Sequence, residues 1–153
     1  MPDILRIRPI TPDDQPAWSP LWDGYNAFYG RAGSTALPHA ITGVTWQRFL
    51  DPAEPMFALV AEQGDQLLGL AHYLFHRSTT RIELTCYLQD LFTVEAARGK
   101  GVGRALILGV YAAARAQGIR RVYWQTHEGN AAGRLLYDKV ALHAGFIVYS
   151  GDA

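Results

Sequence analysis

Apolar and polar residues alternate through residues 4–10 (ILRIRPI), the period-two signature of a strand with one exposed face. Thr11-Pro12-Asp13-Asp14 then reads as a helix start: a capping hydroxyl, proline at the first helical position and acids in the first turn. Beyond it Trp18, Leu21, Trp22, Tyr25, Phe28 and Tyr29 recur at spacings of three and four, which predicts a helix with one apolar stripe. Residues 30–43 are rich in turn formers, and residues 45–50 predict a short second helix stopped by Asp51-Pro52. Residues 56–62 and 66–76 are strand patterns joined by the hairpin chemistry of Gln63-Gly64-Asp65, and a fourth strand falls within residues 81–94. Val102, Leu106, Ile107, Val110, Tyr111 and Ala114 mark one face of a helix that Gly118 ends. Residues 121–126 (RVYWQT) predict a fifth strand, residues 130–140 another amphipathic helix, and residues 146–149 a short closing strand.

The resulting order, β-α-α-β-β-β-α-β-α-β, predicts a mixed α/β fold, antiparallel at first and parallel later. At 153 residues, a single domain over 1–153 is expected. Positive and negative charges balance, so no general field favours nucleic acid or a membrane surface, and neither is expected as a partner. The apolar runs are strand-sized, and Asp3, Arg6 and Arg8 interrupt any leader-like segment, so a cytoplasmic location is expected. Cys86 is the lone cysteine and sits in an apolar strand pattern, which makes it a core residue sooner than a nucleophile. The five histidines are dispersed, and no metal site is expected.

The candidate chemistry centres on Arg98-Gly99-Lys100-Gly101-Val102-Gly103-Arg104, between the fourth strand and its helix. Alternate glycines let the backbone approach a ligand closely, and amides at a helix N-terminus favour negative charge. With three basic side chains around it, the turn suits a diphosphate. No G-x-x-x-x-G-K-[ST] string is present, and counting from Gly101 the third glycine of a dinucleotide fingerprint is replaced by Leu106. The pattern that is met is [Q/R]-x-x-G-x-[G/A], by Arg98, Gly101 and Gly103. Some thirty residues on stands N-A-A-G-R-L-L-Y-D-K, with Asn130, Leu136 and Tyr137.

These two motifs, at this separation and in this element order, resemble the GNAT superfamily of acetyl-CoA-dependent N-acetyltransferases. Gly133 stands where the family's N-x-x-A-x-x-L-Y element usually has alanine. The segments LWDGYNAFYG (21–30), LQDLF (88–92) and RVYWQT are similar to the subgroup that includes yeast histone and polyamine acetyltransferase-like proteins. The resemblance implies a GNAT fold with a mixed sheet of six to seven strands, whose fourth and fifth strands splay around the pantetheine arm of the cofactor. It implies backbone of Arg98, Gly99, Lys100, Gly101, Val102, Gly103 and Arg104 on the diphosphate. Leu91, Phe92 and Thr93 main chain would lie along the pantetheine and acetyl carbonyl, and Asn130 on the same arm or capping its own helix. Tyr137 would be the acid that protonates the departing thiolate.

The implied reaction is acetyl transfer from acetyl-CoA to a primary amine by direct attack in a ternary complex, the acceptor being a polyamine, an amino acid, another small amine or a protein lysine. An alkylamine, with a pKa near 10.4, must lose its proton first. Asp90, beside the implied acetyl site, is the first candidate for that base, acting directly, through water, or by attracting the cation. His72 is weaker, and Glu83 falls on the opposite face from Asp90 by strand parity. Trp22, Tyr25, Asn26, Tyr29 and Glu128 are candidates for the acceptor pocket, with His127 near its entrance. A non-catalytic acetyl-CoA-binding sensor or assembly module is the alternative. Gly145-Phe146 comes later after Tyr137 than in many relatives. An exposed strand edge rich in Phe146, Ile147, Val148 and Tyr149 would invite pairing, so this segment is expected to join another subunit's sheet, giving a homodimer.

Overall fold

The structure, a computed structural model, describes residues 3–153. Five strands form one sheet in chain order: β1 (Leu5–Pro9), β2 (Met56–Gln63), β3 (Gln66–His76), β4 (Thr85–Thr93) and β5 (Val122–Tyr123). The first four are antiparallel neighbours and β5 joins β4 in parallel. Helices α1 (Gln15–Phe28) and α2 (His39–Leu50) separate β1 from β2, α3 (Val102–Ala116) connects β4 to β5, and α4 (Ala131–Val140) follows β5. The α/β class and element order match the expectation through α4.

Each face of the sheet has its own core. On one, Leu59, Ala71, Cys86 and Leu88 meet Val102, Leu106, Ile107 and Val110 of α3. On the other, Trp18, Leu21, Trp22 and Tyr25 of α1 and Trp46 of α2 close over Leu70. Cys86 is fully buried, and burial pushes its thiol up to about 12.

Three expectations are corrected. The second helix starts at His39, six residues before the expected Thr45. Its first turns carry Gly43 and β-branched residues, weak helix formers, and are held by tertiary contact: Trp22 Nε1 donates to Thr42 Oγ1 at 3.1 Å. The fifth strand shrinks to Val122 and Tyr123, because only Cys86 and Tyr87 of β4 lie alongside it. The closing strand does not form, so the sheet has five strands where six to seven were expected. Phe146, Ile147, Val148 and Tyr149 are all exposed and pair with no strand among the described residues.

The entry to α1 is fixed electrostatically. Arg8 of β1 makes two hydrogen bonds to Asp14, at 2.8 and 2.9 Å, and a third to Glu62 of β2 at 2.8 Å. The Thr11 amide donates to Asp14 Oδ2 at 2.7 Å. The Arg8 guanidinium holds the Asp14 carboxyl down to about 2, against its ordinary 3.8. A carboxyl depressed in the folded state contributes stability above its unfolded value and loses it as the pH falls. Asp14→Asn is expected to cost about 2 kcal/mol at pH 7 in urea unfolding. The gap between variant and wild type should close as the pH falls from 3.8 towards 2.

Candidate active site

Between β4 and α3 the chain turns through Gly99 (φ 74°) and Gly101 (φ 85°), left-handed conformations that favour glycine. The turn delivers the first amides of α3, those of Val102, Gly103 and Arg104, which have no acceptor inside the helix. Arg98 ties the turn back to the strand: its Nε donates to the Thr93 carbonyl at 3.1 Å, and its guanidinium lies 5.8 Å from the centre of the Phe92 ring. Lys100 and Arg104 are exposed beside these amides. Helix-end N–H groups and two cations without an ion-pair partner among the described residues are a donor set for phosphate oxygens.

The turn opens onto a cleft in the sheet. Strand β4 pairs with β5 only at Cys86–Val122 and Tyr87–Tyr123. Beyond that point Leu91, Phe92 and Thr93 stay bonded to β3, opposite Ala71, Leu70 and Gly69, while their β5 side is unpaired. Helix α4 packs against the far wall of the cleft. A Cβ at Gly103 would stand 3.3 Å from Leu136, so α4 and the first turn of α3 are in close contact. Asn130 caps α4, its Oδ1 accepting from the Gly133 amide at 3.2 Å and its Nδ2 donating to Thr126 Oγ1 at 2.9 Å. Tyr137 lies edge-on to Trp124 with ring centres 5.5 Å apart. Burial, and then the nearby Tyr29 hydroxyl, raises the Tyr137 pKa, so the phenol keeps its proton at neutral pH.

A pocket of about 230 Å3 lies between the sheet and helices α1 and α2. Trp22, Asn26, Arg31, Phe49, His72 and Asp90 are among its walls. Tyr25 and Tyr29 continue the stack from Trp22, with centres 5.4 and 5.1 Å apart in succession. Asp90 reaches this face because β4 has a bulge. His72 pairs with Asp90 but Tyr73 pairs with Leu88, so Gln89 is the extra residue. Strand parity is inverted across it: Leu88 points into the α3 core and Asp90 towards α1. Face assignment by counting from Glu83 therefore fails, and Glu83 also precedes the strand, beside Arg81 at 3.8 Å.

Asp90 is held from behind by a relay. Trp18 Nε1 can only donate, and it donates to His72 Nε2 at 3.0 Å. The ring proton is therefore on Nδ1, which donates to Asp90 Oδ2 at 2.9 Å. His72 is buried with both nitrogens engaged, which leaves it to orient Asp90 and not to take a proton from the pocket. Burial first, and then the Asp90 charge, raise the pKa of Tyr25 and of Tyr29.

The predicted residues thus gather at two adjoining places. Leu91, Phe92, Thr93, the turn from Arg98 to Arg104, Asn130 and Tyr137 surround the cleft. Trp22, Asn26 and Asp90 line the pocket, whereas Tyr25 and Tyr29 stand behind Trp22 in the aromatic stack and are not part of the lining. His127 stacks on Tyr29 at 5.6 Å. Glu128 is exposed outside the pocket lining, and its carbonyl accepts from Arg134 at 2.9 Å. Arg31, Phe49 and the Trp18 donor escaped the reading of the sequence.

The fold is that of an acetyltransferase, and the chain belongs to the GNAT family: the model for the "Acetyltransferase (GNAT) family" matches residues 18–141. It is 38% identical over 150 residues to the D-amino-acid N-acetyltransferase of Saccharomyces cerevisiae, covering 96% of this chain and 90% of that one. An uncharacterized N-acetyltransferase of Bacillus subtilis is 27% identical, with 95% of each chain covered. The crystal structure of a ribosomal-protein-alanine N-acetyltransferase from Brucella melitensis shares the fold, with a TM-score of 0.77 at 18% identity, covering 98% of this chain and 100% of that one.

The glycine in the α4 motif has a local cause. A Cβ at Gly133 would stand 2.5 Å from Asn130 Nδ2, so the cap and an alanine compete for the same space. Gly133→Ala is expected to displace Asn130 and, despite the better helix propensity of alanine, to cost about 1 kcal/mol in denaturant unfolding.

Proposed function

We propose that this N-acetyltransferase takes its acetyl group from acetyl-CoA bound in the β4/β5 cleft and passes it to a primary amine seated in the adjoining pocket. The observation that carries this reading is the contiguity of the two places. Trp22 of the pocket wall stacks on Tyr25, Tyr25 packs on Tyr29, and Tyr29 in turn lies near Tyr137 of the cleft. The residues present fit the cofactor: uncommitted amides and cations at the α3 N-terminus for the diphosphate, and an unpaired strand edge for the pantetheine amides.

Bound acetyl-CoA supplies an activated acetyl thioester. The chain's part is to position and to move protons. Val102, Gly103 and Arg104 amides, with Lys100, grip the diphosphate. Main chain at Leu91, Phe92 and Thr93 holds the arm and polarises the acetyl carbonyl, a donor arrangement of the oxyanion type. Asn130 adds a polar contact along the arm. Asp90, fixed by His72, draws a cationic amine into the pocket and accepts its proton, directly or through water. Trp22 and Asn26 form part of the wall, Tyr25 and Tyr29 back it and lead towards the cleft, and Glu128 lies further out. Tyr137 keeps its hydroxyl proton until it is needed by the departing sulfur.

The name of the yeast relative bears on the acceptor. At 38% identity over nearly the whole chain, a free amino acid is the acceptor class we extend to this protein. We also propose that the exposed apolar segment from Phe146 to Tyr149 pairs with a second copy, giving a homodimer.

Calorimetry with acetyl-CoA should register binding, and its absence with folded protein would end the proposal. Tyr137→Phe is expected to lower kcat by about 10²-fold or more with acetyl-CoA affinity retained, as measured by steady-state release of coenzyme A. An unchanged kcat would remove the acid role from Tyr137. Light scattering should give twice the monomer mass at micromolar concentration, whereas a strict monomer would refute the pairing.

A further inference from the structure

Arg31 and Asp90 line the same pocket with opposite charges, yet no ion pair joins them. The position of Arg31 is fixed by the end of α1. Gly30 adopts a left-handed φ of 78°, its amide donates to Ala27 at 3.0 Å, and the Arg31 amide donates back to the Asn26 carbonyl at 2.8 Å. This is a C-terminal helix cap, and it directs the following residue back along the helix face. The side chain is fixed as well. Arg31 Nε donates to Asn26 Oδ1 at 2.7 Å, while Asn26 Nδ2 donates to the Trp22 carbonyl at 2.9 Å. Asn26 is buried, so its amide has one orientation. The guanidinium also lies over Tyr25 and Tyr29, 5.8 and 5.6 Å from the ring centres.

Holding the guanidinium by Nε leaves both terminal nitrogens without a partner among the described residues. Two parallel N–H groups in a rigid fork match a carboxylate. We propose that Arg31 is the carboxylate clamp of the acceptor, which is then an α-amino acid with its amine at Asp90 and its carboxylate at Arg31. This inference rests on the proposed function of the pocket and names the residue that selects its occupant. Leu37, Ile41, Phe49, Met56 and Leu74 outnumber the polar Thr45 and Gln89 in the rest of the lining, so the side chain that fits is mainly apolar. The same fixed cation disfavours a polyamine, whose second ammonium it would repel.

The test is a set of initial rates with acetyl-CoA for leucine, leucinamide and 3-methylbutylamine, using both enantiomers of the first two. The amide has a more acidic ammonium than the acid, and comparing the leucine-to-leucinamide ratio of kcat/KM between proteins cancels that difference. In Arg31→Ala the ratio should fall about tenfold or more, mainly through KM for leucine, since a charged hydrogen-bonding pair has been lost. Arg31→Lys, which keeps the charge but not the fork, should fall in between. In the wild type, 4-methylpentanoate should compete with leucine, a readout that stands even if neither variant folds. A ratio unchanged by both substitutions, or no competition by 4-methylpentanoate, overturns the clamp. Wild type that acetylates 3-methylbutylamine and leucinamide as well as leucine also overturns the clamp, and leaves the proposed function standing. Wild type that acetylates no member of the panel counts against the proposed function itself and takes the clamp with it.

Discussion

One extra residue in β4 sets the geometry on which the site depends. Gln89 has no counterpart on β3, and across it the strand exchanges its faces. Before the bulge, Cys86 and Leu88 serve the core under α3. After it, Asp90 and Phe92 turn towards α1 and α2. Without that inversion Asp90 would be an unpaired carboxylate in an apolar layer, at a cost of several kcal/mol. With it, the carboxylate meets His72 and opens into a pocket. Pairing with β5 ends at Tyr87, close to the bulge, so the cleft and the pocket begin at nearly the same place along the strand.

The aromatic stripe of α1 does two tasks that cannot be separated. Trp18 is fully buried and packs at 4.8 Å against Trp46, which anchors α2. The same indole supplies the N–H that sets the His72 tautomer. Trp22, Tyr25 and Tyr29, one turn apart in succession, run from the pocket wall towards Tyr137 and the cleft. Core packing and the approach to the pocket therefore draw on one set of side chains. Removing a ring beside the pocket would also remove apolar area from the core.

What was legible in the sequence was whatever depended on local pattern. The hairpin from β2 to β3 follows from alternation and a glycine turn, and β3 has the bounds that the pattern predicted. Helix α3 and its glycine turn follow from an apolar stripe with its start and stop. What was hidden depended on partners. The first turns of α2 are poor helix on propensity and form against Trp22. The end of β5 is a matter of how far β4 stays within reach. The segment from Phe146 has strand composition but no neighbouring edge. The bulge carries no residue signature at Gln89, so parity across it was misleading for Glu83 and Asp90. Arg31 had a readable cue, since a glycine directly after a helical stripe signals a cap that turns the next residue back.

The solitary thiol of this protein has a practical bearing on how its turnover is followed. Cys86 lies in the floor of the sheet with no solvent access, and its ionisation is pushed to about 12. Disulfide reagents react with thiolate, so in the folded enzyme this side chain is silent to them and is not a route to inactivation. Colour developed by such a reagent during catalysis would come from liberated coenzyme A alone, and a slow colour in its absence would count unfolded molecules.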